Sequence, residues 1–157
     1  SIWQKTVALL GDVTPENILA ISAEELKSVG LSFRKVEYIR DAACRFESGE
    51  FDVNSFNSLT DYEIVEKLSQ LKGVGVWSAE MLMLFSMQRP DVLSFGDLAI
   101  LRGLRMIYHH RRIDRKLFDK YRRRFSPFNS VASLYIWAVA GRAIEGMKDY
   151  APKLGKK

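Results

Sequence analysis

A chain of 157 residues, 47% hydrophobic and 27% charged, carries enough apolar content for a packed core, which excludes a disordered segment. Twenty-four Lys and Arg against 19 Asp and Glu leave a net charge of +5, which favours an acidic partner without naming one. One cysteine excludes an internal disulfide, and two adjacent histidines with no second Cys exclude a zinc constellation. No apolar run approaches the ~18 residues needed to cross a bilayer, and "SIWQKTVALL" lacks the pattern of a secretory leader. The expectation is a soluble, intracellular protein with no membrane contact. Cys44 is expected to be buried among apolar helical neighbours.

Taken in order, the elements read as helices throughout, and the chain as all-α. Thr14 caps a helix with Pro15 in its first turn, and Ser22 opens another, with Glu25 in capping-box position and Gly30 as its stop. From Phe33 to Phe46 the apolar residues Phe33, Val36, Ile39, Ala43 and Phe46 recur at helical spacing, with Arg34, Lys35, Arg40 and Arg45 on other faces. Turn formers fill 47–60. Thr60 or Asp61 then starts a helix with Ile64, Val65, Leu68 and Leu71 inward, and it stops at Gly73. A second helix follows at once, with Trp77, Met81, Leu84 and Phe85 as its expected buried stripe. A Pro- and Gly-punctuated loop over 88–96 leads to Asp97, which stands at the mouth of "LAILRGLRMIY". Two further helical stretches, "DRKLFDKYRRRF" and "SVASLYIWAVAGRAI", complete a single expected domain over 1–157 without repeat or linker.

Two positions in this pattern suggest chemistry. Gly73 and Gly75 in "LKGVGVW" place a nearly side-chain-free tip between two helices, so residues 61–87 read as a helix-hairpin-helix. Its outward N–H groups, aided by the following helix's dipole, would hold a phosphate without reading a base, and Lys72 would add a charge. A tight turn and nothing more is the other reading. Asp97 is at once an ordinary N-cap and a carboxylate 20 residues after Trp77, one helix and one loop away.

The stretch "LKGVGVWSAEMLMLFSMQRPDVLSFGDLAILRGLR" resembles the helix-hairpin-helix/Gly-Pro-Asp superfamily of DNA glycosylases, and most of all its alkylbase branch, the 3-methyladenine DNA glycosylase II type. Leu71, Gly73, Val74, Gly75, Trp77, Ser78 and Ala79 match, followed by Pro90, Asp91 and Val92, then Gly96, Asp97 and Leu98. The likeness extends through "GLSFRKVEYI" and "FSPFNSVASLYIW". It implies an all-α DNA glycosylase fold and a monofunctional enzyme of base excision repair. Such an enzyme hydrolyses the N-glycosidic bond of flipped-out alkylated purines and leaves an abasic site.

By the same resemblance Asp97 is the catalytic carboxylate, and Trp77 lines the base pocket where strand-cutting relatives carry lysine. Lys72, Gly73, Val74, Gly75, Val76 and Ser78 contact double-stranded damaged DNA. No cofactor is required, although carbonyls of Ser69, Leu71 and Val74 would suit a structural Na or K ion. The resemblance also implies a monomer, placed in the nucleoid-containing cytoplasm of a prokaryote or the nucleus of a eukaryote. Relatives carry a preceding helical segment with the wedge residue. The chain therefore reads as N-terminally incomplete, with apolar surface to be covered by that segment or a partner. They also carry arginine where this chain has Asn129.

Pure core packing is the competing reading of Trp77. A non-catalytic DNA-binding module, and a glycosylase for oxidised or mismatched bases, are the competing functions. His109 and His110 read as a surface basic patch, Arg122–Arg124 as facing either phosphate or solvent, and Tyr135 and Trp137 as core.

Overall fold

The structure is a computed structural model that describes residues 1–152; the regular elements among them are all helices, with no strand. The backbone divides into two compact units, Ser1–Gly75 and Val76–Lys157. The sequence offers no linker at that point: the boundary is the glycine turn of the expected hairpin.

In the first unit lie α1 (Ile2–Leu10), α2 (Pro15–Ala20), α3 (Ala23–Ser28), α4 (Phe33–Glu47), a 3-10 turn (Val53–Ser58) and α5 (Asp61–Leu68). Their starts follow from capping chemistry. Thr14 accepts from the Asn17 amide, while Ser22 with Glu25 and Thr60 with Glu63 form reciprocal capping boxes. The amino-terminal stretch, read above only for a leader pattern, forms α1 through a third box between Ser1 and Gln4. Ile64, Leu68 and Leu71 are buried as expected, along with Leu26, Val36, Ala43 and Phe56.

Two expectations for α4 fail. Phe33 is 55% exposed with the Lys27 ammonium 4.1 Å from its ring centre, and Cys44 is exposed. The buried arc of α4 runs through Val36 and Ala43, and a residue next to Ala43 is turned about 100° away from it. Arg40 does more than occupy an outer face. Its guanidinium donates to the carbonyls of Ile18 at 3.2 Å and Ile21 at 2.6 Å, satisfying the open end of α2.

The second unit holds α6 (Val76–Phe85), α7 (Leu98–Tyr108), α8 (Arg115–Phe125) and α9 (Asn129–Ala140). Leu93, Ile100, Leu104, Ile113, Phe118, Tyr121 and Ile136 form its core. Helices α7 and α9 meet at Gly103, where an added Cβ would lie 2.5 Å from both Cγ2 and the carbonyl oxygen of Ile136. Glycine is the residue that allows this approach.

The buried face of α6 is Ala79, Met83 and Leu84; of the expected stripe Leu84 is buried, Met81 is half-buried, and Trp77 and Phe85 are 50% and 59% exposed. That helix is apolar on nearly every side, so periodicity does not single out a face. On α9, Ser133, Ile136, Val139 and Ala140 are buried, but Tyr135 is exposed rather than core. The histidines also differ from a plain surface patch. His109 ends α7 in a left-handed conformation, and His110 Nε2 lies 2.7 Å from the Tyr121 hydroxyl.

Candidate active site around Asp97

Asp97 is the N-cap of α7 and is 8% exposed. Its Oδ1 accepts from the amides of Ala99 at 2.7 Å and Ile100 at 3.0 Å, satisfying two of the four open N–H groups of the helix start. Its Oδ2 accepts from two indoles, Trp77 Nε1 at 3.0 Å and Trp137 Nε1 at 3.2 Å. A carboxylate has about four lone-pair positions, and here all of them are taken by donors. Burial by itself raises the Asp97 carboxyl, but the Trp77 indole, the Ile100 amide, the Trp137 indole and the Ala99 amide outweigh it. The group is held below the usual aspartate value. Asp97 is therefore both the cap and a fixed, ionised charge.

Aromatic surface surrounds that charge. Phe85 stacks on Trp137 with ring centres 5.8 Å apart and planes 11° from parallel, and half of Trp77 faces outward. Each indole uses an edge to hold Asp97, which leaves its faces for other contacts. Trp77 thus combines a bond to Asp97 with a half-exposed surface. Trp137, read as core, does pack half-buried against the core of this unit and also belongs to the Asp97 cluster. It sits on α9 one turn beyond buried Ser133, and its partner is 40 residues away in sequence, so no local pattern announces it.

The loop that delivers Asp97 is stapled to the start of α9. Asn129, fully buried, donates through Nδ2 to Asp91 Oδ1 at 2.5 Å and to the Arg122 carbonyl at 3.0 Å. Ser126 Oγ donates to Asp91 Oδ2 at 2.8 Å, Ser130 Oγ donates to the Arg89 carbonyl, and Ser133 Oγ donates to the Val92 carbonyl at 2.9 Å. Burial raises Asp91, but the Ser126 and Asn129 bonds overcome it and keep this carboxyl low. Asn129 thus holds the 89–93 segment in place, a structural role for the residue that stands where relatives are expected to carry arginine.

Glu80, one turn past Trp77 on α6, is different. Burial raises its carboxyl, and its Oε2 is buried without a hydrogen-bond partner.

The hairpin residues fall on both sides of the unit boundary. Gly73, Val74 and Gly75 close the first unit, and Val76, Trp77 and Ser78 open the second. Gly73 has φ +79°, and a Cβ there would lie 2.2 Å from Tyr38 Cδ2; Gly75 meets nothing. The Val74 amide donates to the Leu71 carbonyl at 3.1 Å. Lys72 departs from the expected free charge: its ammonium is 3.2 Å from Asp41 and 3.5 Å from Glu37, and those carboxylates, Asp41 foremost, raise it. Its charge is already matched on α4. Among the described residues no group of three or more His, Cys, Asp or Glu is placed to hold a metal ion.

The family model described as HhH-GPD superfamily base excision DNA repair protein matches residues 1–127. The chain is 33% identical over 142 residues to DNA-3-methyladenine glycosylase 1 of Schizosaccharomyces pombe, covering 89% of this chain and 62% of that protein. It superposes on the DNA-3-methyladenine glycosidase of Bacillus halodurans with a TM-score of 0.82 and 37% identity, over 92% of this chain and 68% of that one. It also superposes on the Schizosaccharomyces pombe 3-methyladenine DNA glycosylase in complex with abasic DNA, with a TM-score of 0.73 and 31% identity, over 84% and 64%. The chain thus spans less than two thirds of the first curated relative's length. With 127 of its residues under the family model, the chain belongs to the HhH-GPD superfamily of base excision DNA repair proteins.

Proposed function

We propose that this chain carries the catalytic centre of a monofunctional DNA glycosylase that hydrolyses the N-glycosidic bond of flipped-out alkylated purines in duplex DNA. The observation that carries the reading is the Asp97 carboxylate, ionised and pinned by two indole and two amide donors beside exposed aromatic faces. An electron-poor, cationic base stacks favourably on such faces, and its departure leaves oxocarbenium-like positive charge at C1′ of the sugar. A preorganised negative charge near that carbon stabilises the charge as it forms.

The filled acceptor positions refine the role of Asp97. A carboxylate with no vacant lone pair and a lowered pKa is a poor proton acceptor at neutral pH, so its contribution is electrostatic first. Trp77 occupies the position of the lyase lysine, which leaves no amine there to attack C1′. Release then leaves an abasic site and an uncut strand.

The partner in this reading is damaged duplex DNA, held by the protein as a monomer through the backbone of Gly73–Ser78. Ser69, Leu71 and Val74 offer neutral carbonyl oxygens, a donor set that suits an alkali cation rather than a transition metal. The Leu71 oxygen keeps one lone pair for it beside its bond from Val74. No cofactor enters the reaction.

The competing reading, a DNA-binding module, draws on the capping bonds of Asp97, which α7 would need in any case. Asp97→Asn separates the two, because asparagine still caps a helix but carries no charge. Release of 7-methylguanine and 3-methyladenine from duplex DNA under single-turnover conditions is expected to fall by about 100-fold or more. Unchanged release in the variant, or duplex binding by the parent protein without release, would overturn the catalytic assignment. Borohydride is expected to trap no covalent adduct.

A further inference from the structure

We infer that the exposed face of α8 is a second phosphate-binding surface, one that engages the backbone of duplex DNA through side-chain cations rather than hairpin amides. This rests on the proposal that duplex DNA is the partner. The 11 residues Arg115–Phe125 contain six cations, Arg115, Lys116, Lys120, Arg122, Arg123 and Arg124, and one carboxylate, Asp119. Their sum is +5, which equals the net charge of the entire chain, so the other 146 residues sum to zero. The excess of positive over negative charge in the whole chain thus equals the charge of this one helix.

Geometry keeps that charge outward and mostly without a direct ion-pair partner. Phe118 and Tyr121 bury one side of α8, and all six cations are exposed. Arg115 alone pairs, with Asp119 at 3.1 Å; among the described residues the other five have no carboxylate within 4 Å. Lys116, Lys120 and Arg124 follow one another at i, i+4 spacing, where like charges repel. Cations in the last turn complement the helix dipole, which accounts for Arg122–Arg124 but not for Lys116 or Lys120. An ordinary solvated face mixes signs. A polyanion turns this repulsion into attraction.

Dimensions and position fit a nucleic-acid strand. Eleven helical residues extend about 16 Å, the axial rise of four or five phosphates at ~3.4 Å each. The face belongs to the same unit as Asp97, and the fields of Arg122 and Arg115 reach Glu80, one turn from Trp77. Lys72 at the hairpin is already matched by Asp41 and Glu37, so the net positive charge that would draw DNA in comes from α8.

The test is the salt dependence of binding to an undamaged fluorescent duplex, for the parent chain and for the triple variant Lys116→Gln, Lys120→Gln, Arg123→Gln. Each lost phosphate contact is expected to flatten the slope of log K against log salt by about 0.9, or two to three units in all. The charge-keeping triple Lys116→Arg, Lys120→Arg, Arg123→Lys is expected to retain the parental slope. The single-turnover rate of base release at saturating enzyme is expected to stay within about twofold, since none of the three side chains touches the Asp97 cluster. An unaltered slope in the glutamine triple with a parental circular dichroism spectrum overturns the proposal. So does an equal loss in the charge-keeping triple, or a parent chain that binds no duplex. A parent that binds with the expected slopes but releases no base leaves the α8 surface standing and removes the glycosylase reading alone.

Discussion

Trp137 Nε1 donates to Asp97 Oδ2 across 40 residues of sequence, at the same oxygen that Trp77 reaches from α6. One carboxylate oxygen thus ties α6 and α9 to the start of α7. The charge proposed to act in catalysis is also a joint of the second unit.

Trp137→Phe keeps the ring and removes the donor. With one of its hydrogen bonds gone, the Asp97 carboxyl moves up toward 3.8. A depressed acid adds stability above its unfolded pKa and loses it as pH falls through the folded value. The variant is therefore expected to be less stable than the parent at pH 7, and the gap to close as pH drops below that of the unfolded carboxyl. A hydrogen bond to a charged group contributes about 1.5 kcal/mol or more, so Tm at neutral pH should fall by roughly 3–6 °C. The acid limb of the base-release profile should shift upward; an unmoved limb would mean that Trp137 only packs.

Gly73→Ala and Gly75→Ala are expected to behave as opposites. Gly73 combines φ +79° with a Cβ position 2.2 Å from the Tyr38 ring, whereas nothing lies within 4 Å of the corresponding point at Gly75. The left-handed conformation alone costs an L-residue about 1–2 kcal/mol, before Tyr38 is displaced. Thermal melts should show a loss of about 2 kcal/mol or more for the first variant and little change for the second.

Gly103→Ala places a methyl group against both the side chain and the carbonyl of Ile136. Alanine is the better helix former by about 1 kcal/mol, but overpacking at a helix crossing costs about 1–3 kcal/mol or more. Urea unfolding is expected to give a lower midpoint. A higher one would show that α7 and α9 separate easily.

Glu80→Gln tests the partly buried carboxyl whose Oε2 has no hydrogen-bond partner. Because burial raises Glu80, its folded form favours the proton: its contribution to stability is full below 4.5 and is lost as pH rises through the folded value. Glutamine lacks this dependence. The variant should melt above the parent at pH 7 and lose that advantage toward pH 4. A difference that stays constant with pH would show that Glu80 carries no such strain.

Caps and periodic stripes are short-range, and they were legible in the residues. Thr14, Ser22 and Thr60 name their own helices, and Ile64, Leu68 and Leu71 their own buried face, because each signal lies within one or two turns of chain. The likeness running from Leu71 to Arg105 pointed to Asp97 and Trp77 for a similar reason, as a fixed spacing along one segment. Position along the chain could not supply partners that meet only after folding. Cys44, Phe33 and the faces of α6 depended on which neighbouring helix arrived, and a helix apolar all round gives no preference of its own. Trp137 joined the site, and Asn129 found Asp91, through bonds spanning 40 and 38 residues. Hydrogen bonds and burial depend on distance in space, and composition and periodicity record only distance along the chain.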